Sequence, residues 1–125
     1  MNKRWLEGWP WDTVVTINAA LCKEKSALHQ PTSEGYEPAK ILWEKARSKE
    51  LFLKEALEIC RRCHKLSPFC FYNGNTFAAI GRTIVQSLLR KMPAAKAHAF
   101  RSVVGHYIAG TAGDDELDMA LMGLD

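Results

Sequence analysis

Cys60, Cys63 and His64 stand in the order C-x-x-C-H inside the stretch EICRRCHKLSPFC, which Cys70 closes. That order is the one that attaches c-type haem. Three thiols and an imidazole are also a donor set for zinc, which takes sulfur and nitrogen ligands in a tetrahedron. Helix periodicity argues for something simpler. On a wheel, Phe52, Leu53, Ala56, Leu57, Ile59, Cys60 and Cys63 share one arc, with His64 at its edge. Lys54, Glu55, Glu58, Arg61, Arg62 and Lys65 fill the other side. Free cysteine is among the most buried residue types and packs as a small hydrophobe. The reading is therefore of core thiols at Cys60 and Cys63, with no cofactor expected. A zinc set of Cys60, Cys63, His64 and Cys70 is the alternative. Haem is disfavoured, because the first residues lack the apolar segment of an export signal. A reactive thiol beside Arg61, Arg62 and Lys65 would need exposure, which the wheel denies.

The next stretch, FCFYNGNT, is aromatic and turn-forming together. Asn73-Gly74 is a turn pair, and Asn75 or Thr76 can cap a helix behind it. Helix N-termini attract anions through unpaired N–H groups. The favoured reading is a turn whose aromatics plug the bundle end and whose asparagines cap the helix; an anion site at Asn73, Asn75 and Arg82 is the alternative. Arg82, Gln86 and Arg90 recur at steps of four, and with Lys91 they extend it into a basic ridge for phosphates or nucleic acid. His98, Arg101 and His106 share the following helix, but no nucleophile or carboxylate accompanies them.

Trp5, Trp9 and Trp11 place three indoles in seven residues. They either close one end of the fold or present a patch to a partner, since Trp is enriched at interface hot spots.

These residues must be positioned by helices. Apolar periodicity predicts one from Asp12 to His29, with Val14, Ile17, Leu21 and Leu28 on its inner face. A second runs from Pro38 to about Lys65, with a break near Ser48. A third carries TFAAIGRTIVQSLLRK, and a fourth runs from Pro93 to Gly110 or Gly113. No alternation of period two is long enough for a strand, and no internal repeat aligns. At 125 residues, with 47% hydrophobic and 25% charged side chains, the chain fits one globular domain. The fold class expected is all-α, a single-domain bundle of four to five helices over residues 1–113. Residues 114–125 follow as an acidic tail able to form a short helix.

Charge is partitioned. From Ile59 to Gly113 there is no acidic residue and there are eight basic ones, whereas the tail carries five acids and no base. Such opposition points to an acidic partner for the body or to docking of the tail on it. No apolar run reaches the ~20 residues of a membrane span, and the expected location is cytoplasmic. The leading functional expectation is a non-enzymatic interaction or regulatory module that binds a protein partner or itself. The alternatives are an anion- or nucleic-acid-binding protein using the basic half, and a metal-binding protein using the cysteines.

Overall fold

Pro10 opens the first helix, where its fixed φ suits an entry position. It is the N-cap residue (φ −59°, ψ 152°) of α1, Trp11–Glu24. A computed structural model describes residues 2–122. The order is β1 (Asn2–Lys3), α1, α2 (Tyr36–Arg47), β2 (Leu51–Phe52), α3 (Leu53–Leu66), α4 (Asn73–Ile84), α5 (Gln86–Leu89), α6 (Ala94–Ala109) and α7 (Asp114–Leu121). The fold is all-α and forms a single helical domain. Its only sheet among the described residues is a two-stranded antiparallel ladder pairing Asn2 with Phe52 and Lys3 with Leu51.

Those residues form seven helices, against an expectation of four to five. Two interruptions account for the difference. The Pro38–Lys65 periodicity breaks at Ser48, whose hydroxyl donates to the Lys45 carbonyl, and the chain then extends into β2. The third predicted helix divides at Val85, which ends α4 and precedes α5. The first helix is shorter than its pattern. It stops at Glu24, and Ser26 turns the chain in the left-handed region (φ 54°). Leu28 is therefore outside the helix and 58% exposed. The buried face of α1 is Trp11, Val14, Asn18 and Cys22.

The N-terminal segment is clamped to α2. The Trp43 indole donates to the Trp9 carbonyl (2.8 Å), and the Trp11 amide donates to Glu44 Oε1 (3.0 Å). Arg47 donates to both Glu44 Oε2 (2.7 Å) and the Glu7 carbonyl (3.0 Å). Burial alone would raise the Glu44 carboxyl. The Arg47 and Trp11 hydrogen bonds, with the charges of Arg47 and Lys40, outweigh burial and hold it below the ordinary glutamate range. Trp5 and Trp11 are buried and Trp9 packs against the core, so these indoles close the bundle from within. Trp11 stacks on Phe69 at 6.0 Å, and Trp43 meets Phe77 at 5.7 Å. With so little of Trp5 and Trp11 exposed, the expected partner patch is not available on those two rings.

Close approaches set the packing of the other helices. A β carbon on Gly81 would run into the Ile108 side chain, so α4 and α6 meet where glycine leaves room. A β carbon on Gly35 would overlap the carbonyl oxygens of Leu66 and Ser67, which brings the start of α2 against the end of α3. Of the acidic segment 114–125, α7 packs on the body, and residues 123–125 lie outside the described residues. Leu117 of α7 is fully buried, and Asp118 pairs with Lys54 of α3 at 2.7 Å. The Tyr107 hydroxyl donates to Asp114 (3.2 Å), and Arg61 lies over the Tyr107 ring. Burial, with the charges of Asp114 and Glu58, pushes the Tyr107 hydroxyl up to about 12. No helix among the described residues is long and apolar enough to cross a membrane.

Candidate anion-binding cleft

The turn before α4 is braced by its own side chains. The Asn73 carboxamide accepts from the Phe69 amide (2.9 Å) and donates to the Phe69 carbonyl (2.7 Å). Thr76 Oγ1 donates to the Tyr72 carbonyl (2.7 Å) and accepts from Asn18 Nδ2 (3.0 Å). Asn18 Nδ2 also donates to the Phe71 carbonyl (2.8 Å), so α1 fixes where α4 begins. The helix starts at Asn73, two or three residues before the expected caps, and Tyr72 is its N-cap residue in the left-handed region (φ 62°, ψ 31°). No side chain caps it. The first amides of such a helix have no intrahelical acceptor and sit at the positive end of its dipole.

Three basic side chains from three helices converge beside that end. His64 comes from the last turn of α3, Arg82 from α4 and His106 from α6, and together they line an open cleft of about 550 Å³. Tyr72, Asn73, Gly74, Asn75, Ser102 and Gly105 line the same space. Among the described residues no carboxylate does. A β carbon on Gly74 would lie 3.3 Å from His64 Nε2, tighter than ordinary contact, whereas one on Gly105 would meet the Arg82 guanidinium carbon at an ordinary 3.5 Å. Nδ1 of His64 is 2.9 Å from the Ile108 carbonyl, which can only accept. Nδ1 therefore carries hydrogen, and Nε2 is left free. For His106, the Thr111 hydroxyl donates to the His106 carbonyl and accepts from Nδ1 (2.8 Å), which frees Nε2 there too. The guanidinium supplies a planar fork suited to phosphate or carboxylate, and each imidazole can hold or give a proton.

No family model, curated protein or solved structure matches the chain. The assignment of this cleft thus rests on its chemistry.

The cysteines are arranged otherwise. Cys60 and Cys63 are fully buried on the inner face of α3. Cys63 Sγ donates to the Ala39 carbonyl at 3.7 Å, whereas His64 next to it reaches the other way to Ile108. Burial pushes the Cys63 thiol up to about 12 against the pull of Arg62, and pushes Cys60 higher still. Cys70 is exposed on the loop before α4. Among the described residues no three His, Cys, Asp or Glu side chains form a metal-binding group. Of the four candidate ligands, His64 alone lines this cleft.

The expected basic ridge is divided. Arg82 faces the cleft, but the helix break at Val85 puts Arg90 in a separate depression with Gln86, His98 and Arg101. Lys91 is exposed after α5. Asn73 contributes backbone to the cleft, its carboxamide being committed to the turn, while Asn75 lies exposed at the edge. Sequence reasoning placed His64 with the cysteines and missed Ser102 and Gly105. A signal existed: Ser102, Gly105, His106 and Ala109 recur at steps of three and four, a small and polar face across α6 from Phe100, Val104 and Tyr107.

Proposed function

We propose that this protein binds a small anionic ligand, carrying phosphate or carboxylate, in the cleft between α3, α4 and α6. One observation carries the reading: His64, Arg82 and His106 meet at a cleft that no carboxylate among the described residues lines, with Gly74 fitted against the His64 ring. The Arg82 guanidinium is a fixed positive charge that no neighbouring carboxylate in the cleft lining meets, which leaves its fork for an anion. Structural salt-bridge networks would place an Asp or Glu there. The test is an amide-resolved NMR titration with inorganic phosphate. Gly74, Asn75 and Gly105 should shift together, and Arg82→Gln should abolish the shifts. Shifts that survive Arg82→Gln would remove the cleft from consideration.

The interaction-module reading keeps one observation of its own. Met119 and Met122 are each 74% exposed and border a groove of about 420 Å³ between α6 and α7, with Phe100, Val103 and Ala120 in its walls. Methionine-rich surfaces adapt to partners. On this reading a second copy of the chain covers the groove. Sedimentation over a hundredfold range of concentration tests it, and a constant monomer mass would end it.

A further inference from the structure

Tyr72 occupies a backbone conformation that core packing does not explain. Its φ of 62° is in the left-handed region, which glycine and asparagine adopt readily and a bulky aromatic does not. The core cluster and the half-buried side chains packed against it do not include Tyr72. Tyr72 lines the cleft instead, half-buried, and its ring lies 6.4 Å from the exposed Phe71 ring. A strained aromatic held at the wall of a cleft is an arrangement that binding sites retain.

The cleft is also larger than an anion alone requires. Its roughly 550 Å³ falls in the range of small-molecule sites. The lining is two-sided. Arg82 supplies positive charge and His64 and His106 supply imidazoles, whereas Tyr72, Ala78 and Ala109 supply aromatic and small apolar surface. Asn75 and Ser102 lie in the same lining with groups able to meet hydroxyls. A ligand matched to all of these has an anionic group, a hydroxylated middle and a planar ring.

We propose that the cleft takes a nucleoside monophosphate, its phosphate held by Arg82, His64 and His106 and its base stacked on Tyr72. This deepens the anion-binding reading and rests on it. Every base has a π-face, and base–aromatic stacking contributes substantially to affinity. A free nucleotide fits better than a polynucleotide strand. Arg90, the next base along the chain, serves a different depression, so the cleft lacks the repeated cations a strand needs.

Calorimetric titration of the full chain with AMP, ribose 5-phosphate, inorganic phosphate and a tetranucleotide tests the proposal. AMP should bind about tenfold more tightly than ribose 5-phosphate, the share expected from stacking. Tyr72→Leu should erase the difference between AMP and ribose 5-phosphate, and Tyr72→Phe should restore it. Equal affinities for AMP and ribose 5-phosphate in the unaltered protein would overturn the nucleotide assignment while keeping the anion site. A tetranucleotide that binds tenfold more tightly than AMP would overturn it in favour of a strand. Failure of every phosphate to bind would sink the anion reading as well. The comparison of ligands on the unaltered protein decides the matter even if the Tyr72 variants fold poorly.

Discussion

His64 donates Nδ1–H to the Ile108 carbonyl and lays the far edge of its ring against Gly74, where a β carbon would stand 3.3 Å from Nε2. The imidazole is thus held from behind and fitted to a glycine in front. Alanine is favoured over glycine within a helix by roughly 0.5–1 kcal/mol. Gly74→Ala is therefore expected to keep or raise the melting temperature while displacing the His64 ring and weakening phosphate binding severalfold. A lower melting temperature with unchanged binding would contradict this account of the glycine.

Thiol reactivity should separate Cys70 from the rest. Cys22, Cys60 and Cys63 are buried, and burial raises all three thiols above their ordinary value. In the native protein a thiol-specific chromogenic reagent is expected to modify Cys70 quickly and the others only on unfolding. Cys60→Ala should lower stability by about 1–2 kcal/mol through lost packing. Rapid native-state modification of more than one thiol would show that the inner face of α3 is open.

Two substitutions in α7 divide its packing from its charge. Leu117 is fully buried, so Leu117→Ala should cost roughly 2–5 kcal/mol. The Lys54–Asp118 pair is half exposed at the surface, and Asp118→Asn should change the denaturation midpoint little. The reverse ranking in urea titrations would mean that charge, not burial, docks this helix.

Glu44 sets a limit on acid stability. Its folded carboxyl lies below the ordinary value of 4.5, so the unfolded chain takes up the proton more readily. The stabilisation is full above that value and is lost as pH falls through the lowered one. Stability measured between pH 6 and pH 2 should decline less steeply in Glu44→Gln, with a modest difference because the side chain is partly solvated. Parallel curves for the two proteins would exclude Glu44 as the cause.

Most helices were legible because their apolar positions repeat at helical spacing. Ala56, Leu57, Cys60 and Cys63 are buried as the wheel of α3 places them, and Phe100, Val104, Tyr107 and Ile108 are buried in α6. The end of α1 was not legible, because Ser26 turns the chain without the glycine that ordinarily announces such a turn. Nor was the division at Val85, since apolar residues continue through it. The cleft was legible in pieces. Asn75 and Arg82 stand close enough in sequence to outline an anion site, but His64 belongs to a helix 18 residues before Arg82 and His106 to one 24 residues after it, and only packing unites them. A buried asparagine such as Asn18 gives no periodic signal at all.

Asn18 lines no part of the cleft, yet it ties the Phe71 carbonyl and the Thr76 hydroxyl that set the first turn of α4. A mutational scan scored only by ligand capture would flag position 18 as though it touched the ligand. The same scan scored by abundance would show it beside the core tryptophans. On the anion-binding proposal, recognition and architecture share a residue on a helix that does not line the cleft, so a map of sensitive positions will be broader than a map of contacts.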